Sequence, residues 1–438
     1  MKKSEYIKFA LKSYKLLSSN FANDVTLAIS SLNYVKHHPE YFKKIDDKKF
    51  SILLKFFIIN IFEIFKSLLV KPIKLDNLKI KKKNILLISH LTKTNQIANN
   101  DDQYFGNLEE ILRKKKFNTD KILINHTGLS NFGKRDKKIF LQILPFKYEI
   151  FIFKEKFFEY LRLRRLFKIT KDKNMKQIIS NSMVFIFDQQ TSFALRLKIQ
   201  IEKYIKSLNP QVIITTFEGY GWERLCFQSA KKIKNNIKCI GYQHTLINHN
   251  NFSIYQNIKP YFNPDLIWCS DLNSFNLLRK YKKNKNRNIF MVGKFKKKLK
   301  IKINNKKILN KKLITCLVIP EGINQECLNL LNFSIKCLKQ QENIKFIWRF
   351  HPITNIGKIL NLMKLKINTL NKNIQISKEK SLNKDIMKSQ FVLYRGSSVV
   401  VEAVKNGTIP LYLNYRENIN IDPLKSCINK NNYINTVN

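Results

Sequence analysis

Two short stretches in the last third of the chain combine residue types that hold phosphate. The apolar run 344–348 leads into Arg349-Phe350-His351-Pro352, and the apolar run 391–394 leads into Arg395-Gly396-Ser397-Ser398. Each puts small or cationic donors where a parallel strand gives way to a helix, the place where open α/β sheets bind phosphate. Proline favours the first helical turn, so the N-terminus of a helix near 355–366 is expected at the sheet's carboxyl edge with His351 beside it. A histidine there can donate to a phosphate or help a leaving group depart; a purely structural histidine fits the same residues. Ser397 and Ser398 read as an N-cap whose hydroxyls and neighbouring N–H groups also make a phosphate cradle. Arg349 and Arg395 add charge, and Gly396 permits close backbone approach. Glu402, one turn further on, either accepts from sugar hydroxyls or only covers the surface.

Two acidic–glycine pairs, Glu218-Gly219 and Glu321-Gly322, also follow apolar runs. A carboxylate at a strand end can take a proton from a hydroxyl, and the following glycine leaves room for a sugar. Both pairs read equally as caps or turns. Glu218 is the favoured base because it falls in the domain opposite the phosphate-binding stretches. Glu321, Asp102, Asp101 and His90 are its rivals. Gln243-His244-Thr245 closes another strand, so Gly219, His244 and His90 form the expected acceptor side; a core role for His244 stays open.

The elements that must position these residues show an α/β rhythm. Residues 1–80 read as a helical, basic region. Short apolar strands at 84–90 and 121–126 then bracket a helix near 105–115, and a long amphipathic helix is expected at 190–207. The very basic stretch 135–180 has no clear assignment. Strand 212–216 leads into Glu218-Gly219-Tyr220-Gly221 and a helix burying Trp222, Leu225, Cys226, Ala230 and Ile233 at helical spacing. Strands at 237–242, 264–270 and 289–293 follow, and the charged run 294–312 reads as a linker. Beyond it, strands near 313–319, 344–348, 374–376, 391–394 and 410–413 alternate with helices, the last helix being 399–406 capped by Gly407. This pattern predicts two Rossmann-like doubly wound domains, 81–296 and 297–438, facing each other across a cleft, with the helical N-terminal extension in front.

The bulk properties add constraints. With 438 residues and 44% hydrophobic content the chain is globular and long enough for two cores. Its 81 Lys+Arg against 31 Asp+Glu give a net charge of +50, which favours anionic partners. Lys, Asn and Ile dominate throughout, so the charge by itself names no function, and no nucleic-acid-binding motif accompanies it. Cys226, Cys239, Cys269, Cys316, Cys327, Cys337 and Cys427 form no CxxC pair and read as buried reduced thiols rather than metal ligands. The first residues lack the apolar core of a signal peptide, so a cytoplasmic location is expected. The segment 50–70 is too often interrupted by Lys55, Asn60, Glu63 and Lys66 to span a bilayer; it reads as a packed helix or one lying on the membrane surface.

At the acidic–glycine, His-Pro and Ser-Ser elements the chain resembles glycosyltransferases of the two-Rossmann-domain GT-B type. It is most similar to bacterial sialyltransferases and Kdo transferases that use CMP-activated sugars, and to proteins of surface-carbohydrate biosynthesis such as capsule, O-antigen or lipopolysaccharide. The likeness covers roughly residues 84–415 and rests on Glu218-Gly219, His351-Pro352 and Ser397-Ser398. It implies inverting transfer from a CMP-sugar to a glycan or lipid-linked acceptor, with no metal and no permanently bound cofactor. On that pattern Glu218 is the base, His351 contacts the nucleotide phosphate, and Ser397 and Ser398 bind it. An anionic membrane surface is the implied neighbour, at the inner face of the cytoplasmic membrane. The family's acidic element carries two carboxylates before its glycine, whereas Phe217 precedes Glu218 and Pro320 precedes Glu321. UDP- or GDP-sugars, CDP-polyol phosphate transfer and nucleotide-sugar epimerisation therefore stay open, as does a nucleic-acid-binding role from charge alone.

Overall fold

The apolar runs read as strands form strands, and every strand pairing among the described residues is parallel. The computed structural model describes residues 3–19, 22–29, 32, 49–71, 82–92, 102–127, 139–247, 252–256, 258–281, 288–295, 313–352, 354–366, 370–379, 381–414, 421–424 and 433–435. They fall into two compact units, one holding the described residues of 3–245 and 252–295, the other Leu246, Ile247 and those from 313 onward.

The first unit begins with α1 (Lys3–Ser18), α2 (Asp24–Ala28) and α3 (Lys49–Ser67). Strand β1 (Asn84–Leu91), α4 (Leu108–Lys114) and β2 (Asn118–Asn125) follow, then three consecutive helices: α5 (Phe146–Ile169), α6 (Lys173–Phe185) and α7 (Gln189–Leu208). The basic stretch that sequence reading left without an assignment is thus α5 and α6. The unit closes with β3 (Val212–Thr216), α8 (Gly221–Ile233), β4 (Lys238–Gln243), α9 (Phe252–Tyr255), β5 (Leu266–Cys269), α10 (Leu272–Tyr281) and β6 (Ile289–Met291). Strand order is β2-β1-β3-β4-β5-β6. The order reverses between β1 and β3, and a doubly wound sheet opens a crevice at such a reversal, outside the carboxyl ends of its strands. The N-terminal helices pack on this unit, α2 against α7 and α8, α3 against α5. Phe295, expected in the linker, packs instead on Tyr242 and Trp268 of the first core.

The second unit runs β7 (Ile314–Val318), α11 (Asn324–Gln340), β8 (Ile344–Trp348), α12 (Ile356–Leu362), β9 (Ile374–Ile376), α13 (Leu382–Lys388), β10 (Phe391–Tyr394), α14 (Val399–Lys405), β11 (Ile409–Asn414) and β12 (Tyr433–Asn435). Its order, β9-β8-β7-β10-β11-β12, reverses between β7 and β10. Both faces are covered, as a parallel sheet requires. Trp348 is fully buried against Leu330 and Leu331 of α11, and its Nε1 donates to Ser334 Oγ at 2.9 Å. Val392 and Tyr394 pack on Val400 and Ala403 of α14 across the opposite face. Gly407, at φ 77°, ends α14 as its sequence position suggests. Strand β12, the sheet's edge, was not foreseen: its polar run 428–438 carries no apolar stretch of strand length.

The expected pair of doubly wound parallel sheets is therefore present. The helix expected near 355–366 is present as Ile356–Leu362, but its N-terminus does not open beside His351, because Asn355 is the residue whose side chain accepts a capping bond, from the Lys358 N–H at 3.0 Å. The six described cysteines are free, five of them buried and Cys337 partly so; Cys427 lies outside the described residues, as does most of 294–312.

Candidate functional site

A close group of titratable side chains lies at the reversal of the first sheet. His90 comes from the end of β1, His126 follows β2, Thr216 ends β3 with Glu218 just after it, and His244 and Thr245 follow β4. Four neighbouring parallel strands thus deliver their C-terminal residues to one edge. His90 Nδ1 lies 2.9 Å from His126 Nε2, and His90 Nε2 lies 2.9 Å from Thr216 Oγ1. The first of these bonds joins a ring N–H to a ring lone pair, so at least one of the two imidazoles is neutral. Glu218 Oε1 accepts from Thr245 Oγ1 at 2.6 Å and sits 3.8 Å from His244 Nε2. Tyr104 stacks at an angle between the rings of His90 and His244, with centroids 4.6 and 4.9 Å away, and Trp222 meets the His90 ring edge-on at 5.6 Å.

Charge follows from this crowding. Burial above all, then the neighbouring His126 and His244, push the His90 pKa well below the usual imidazole range, with Glu218 opposing them. Desolvation also lowers His126. Tyr104 is raised, first by desolvation and then by Glu218 and Asp102. Near neutral pH the edge therefore carries neutral His90 and His126 imidazoles beside the Glu218 carboxyl, a set able to accept and return protons.

The local sequence explains how Glu218 comes to be available. At the N-terminus of α8 the N–H groups of Glu218, Gly219 and Tyr220 all donate to the Glu223 carboxylate, at 2.9, 2.8 and 2.8 Å from Oε2. Glu223, fully buried, fills the anion position that a phosphate would take there, and leaves the Glu218 side chain to the cluster. Gly219 does not make room for a sugar. At φ 87° it lies against the Ser253 backbone, where a Cβ would collide, so the space belongs to the chain's own α9 loop. Arg224 fastens that loop, donating to Ser253 O at 2.5 Å and Asn263 Oδ1 at 2.6 Å. Trp222, expected in the core, is half-buried and belongs to the cluster instead.

Asp102 sits below the cluster. Its Oδ1 accepts from Ser89 Oγ, Tyr104 N and Phe105 N, each at 2.9 Å, so it shapes the turn that presents Tyr104. Asp101 lies outside the described residues. Gln243 is fully buried, and neither of its amide atoms has a hydrogen-bond partner among the described residues.

The second unit gathers another group at its own reversal, after β7 and β10. Glu321 presses against Gly396 so closely that a Cβ on that glycine would collide with Oε1. Burial, and then the Glu326 charge, raise the Glu321 pKa to about 7, against the pull of Arg395 and the Gly396 N–H. Arg395 is buried; its Nε lies 2.5 Å from Glu326 Oε2 and its Nη1 donates to Leu413 O at 2.8 Å. Gly322 follows Glu321, Ser397 and Glu402 are half-buried, and Ser398 is exposed. Ser398 occupies the cap position of α14 without making the expected side-chain capping bond, because its backbone is already helical at φ −66° and ψ −13°. Arg349 pairs with Asp385 Oδ2 at 2.5 Å and donates to the Glu379 carbonyl, which anchors the strand end. His351 is exposed just beyond β8, with its pKa lowered by partial desolvation.

Of the residues singled out in the sequence, Glu218, His244 and His90 come together at this edge and Glu321 lies at the reversal of the second sheet; His126, Tyr104, Trp222 and Glu223 were not singled out for chemistry. A signal for His126 was present: like His90 and His244 it closes an apolar strand. Tyr104 had none, because it reaches the site through a turn. No group of side chains suited to hold a metal ion occurs among the described residues.

No protein-family model matches the chain, and no curated protein matches it. Several solved structures are similar to it over about three quarters of the chain. Staphylococcus aureus MnaA with UDP is 12% identical over 76% of this chain and 79% of its own, with a TM-score of 0.44. The UDP-GlcNAc 2-epimerase of Neisseria meningitidis bound to UDP-GlcNAc is 14% identical over 76% and 82%, also at 0.44. MurG of Acinetobacter baumannii is 9% identical over 76% and 78%, at 0.38. At this level a likeness fixes no substrate or reaction.

Proposed function

We propose that the protein is an enzyme acting on a nucleotide-activated sugar by acid–base chemistry. The observation that carries this reading is the Glu218–His244–His90–His126 cluster at the strand-order reversal of the first sheet. It joins the Glu218 carboxyl to three imidazoles, two of which, His90 and His126, have pKa values lowered by burial. In the second unit, the Glu321 carboxyl near 7 and the close-packed Gly396 mark the edge where a nucleotide phosphate is expected.

Rearrangement of the sugar itself, such as epimerisation, is the favoured reaction. Removing a proton from a carbon and returning one to the other face calls for more than one group able to hold a proton, and the cluster places a carboxyl and three imidazoles at one edge. Glycosyl transfer to an acceptor is the second reading, favoured by the short Thr245–Glu218 bond that orients one carboxylate as a base. Nothing in the site selects CMP. UDP-sugars, GDP-sugars and CMP-sugars are therefore all donors to try.

The test is incubation of the full chain with UDP-, GDP- and CMP-sugars without any acceptor, followed by separation of the products. A new sugar nucleotide, or release of nucleotide and altered sugar, supports rearrangement. Turnover only after a glycan or lipid-linked acceptor is added moves the protein to the second reading. Inertness towards every sugar nucleotide under both conditions overturns the proposal.

A further inference from the structure

We propose that α3 and α5 form a face that docks on an anionic lipid bilayer. Helix α3 is amphipathic in the inverse sense for a helix of a globular unit. Its fully buried residues are Asn60 and Ser67, whereas Phe50 is 78% exposed and Leu54, Ile58, Phe62 and Phe65 are also exposed. At the helical period these five fall on one side, with Lys55 and Lys66 along its edge.

Besides the packing of Phe56 on Phe185 and Phe57 on Phe187, polar contacts fasten α3 to the unit. Asn60 Nδ2 donates to the Phe187 carbonyl at 2.6 Å, and Asn60 Oδ1 accepts from the buried Lys156 of α5. Arg196 of α7 reaches Glu63 at 2.7 Å. The helix is thus held firmly in place with its apolar side outward, which is not the arrangement of a segment awaiting a core.

Helix α5 packs beside it, Phe57 meeting Phe153 with centroids 5.4 Å apart. It exposes Ile150, Phe151, Phe157 and Phe158 among Lys147, Lys154, Arg164, Arg165 and Lys168, with Glu155 as the exposed acid. Aromatic and aliphatic side chains interleaved with cations match the boundary between acyl chains and anionic headgroups: the rings enter, and the long basic side chains reach back to phosphate. The same charge argues against a second copy of the chain as occupant, because two faces of like sign on molecules of +50 repel. No described helix is long and apolar enough to cross a membrane, so the helices lie on the bilayer.

The proposal stands apart from the nucleotide-sugar reading. Its test is flotation of the full chain with vesicles of phosphatidylcholine alone or with about 30% phosphatidylglycerol, at low salt and at about 0.5 M salt. Charge alone brings any strongly basic protein to anionic vesicles at low salt, so the deciding variants conserve charge. Phe62→Ser with Phe65→Ser, and Phe151→Ser with Phe158→Ser, are each expected to lower binding about tenfold or more, while part of the wild-type binding survives high salt. In Phe62→Trp, vesicles are expected to shift the emission of the introduced indole to the blue and to make it quenchable by brominated lipid. Wild-type chain that stays off anionic vesicles, serine variants that bind as well as wild type, or an indole in Phe62→Trp that stays in water overturns the proposal. So does self-association in solution that the serine pairs abolish while vesicle binding is unchanged, since the face would then join copies of the chain.

Discussion

Glu218 and Glu321 occupy the same setting in the sequence, a carboxylate before glycine after an apolar strand, yet their surroundings give them different chemistry. Glu218 accepts from Thr245 and lies within reach of His244, whereas Glu321 is enclosed against Gly396 with Glu326 nearby. The pKa of Glu321, near 7 folded against 4.5 for the ordinary carboxyl, means the folded chain holds a proton that the unfolded chain has lost between those values. The group therefore contributes stability below about 4.5, and that contribution is lost as pH rises through 7. Melting wild type and Glu321→Gln across this window checks it. The stability of the wild type relative to the variant is expected to fall by up to about 3 kcal/mol from pH 4.5 to above 7. A difference that does not change with pH contradicts the assignment. The two carboxylates were legible as candidates from residue type and place. Their roles were not, because a carboxylate's environment comes from residues far along the chain, such as Thr245 and Arg395.

Helix α8 shows why an element, and not a motif, decides what a glutamate does. In the run Glu218-Gly219-Tyr220-Gly221-Trp222-Glu223 either acid can cap, and the structure gives that work to Glu223. Glu223→Ala leaves three backbone N–H groups without their acceptor and is expected to destabilise the chain by about 2–3 kcal/mol in denaturant melts. The strands were read well because a fully buried parallel strand is a continuous apolar run. Helix α5 was not, since cations and aromatics share its exposed side and blur the period, and β12 was not, because its edge position makes no demand for apolar residues. Lys156 gives α5 a second test. Burial, then Arg196, lower its pKa to about 7. The unfolded lysine keeps its proton up to about 10.5, so stability is expected to rise with pH from about 7 to 10.5 through this group. Lys156→Met is expected to flatten that rise in thermal melts; an unchanged slope contradicts the buried, neutralised lysine.

At the scale of the whole molecule, two doubly wound parallel sheets each reverse strand order once, and each reversal collects titratable residues. That architecture was visible in the spacing of the apolar runs. Which edge carries the acid–base cluster was not, because His126 and Tyr104 join it only through the strand order and one turn. The net charge of +50 acts on a different feature, the apolar and basic side of α3 and α5, and does not by itself select nucleic acid. The central claim is that Glu218 and its histidines move protons on a nucleotide-activated sugar. The measurement that reaches it most directly is incubation with UDP-, GDP- and CMP-sugars in D2O, followed by NMR of the sugar ring, for wild type and Glu218→Gln. Solvent deuterium appearing at a ring carbon, slowed about 10²–10⁴-fold in the variant while its melting temperature is kept, is the expected result. Exchange that proceeds unchanged in Glu218→Gln, or sugars left unaltered by the wild type, would contradict the account.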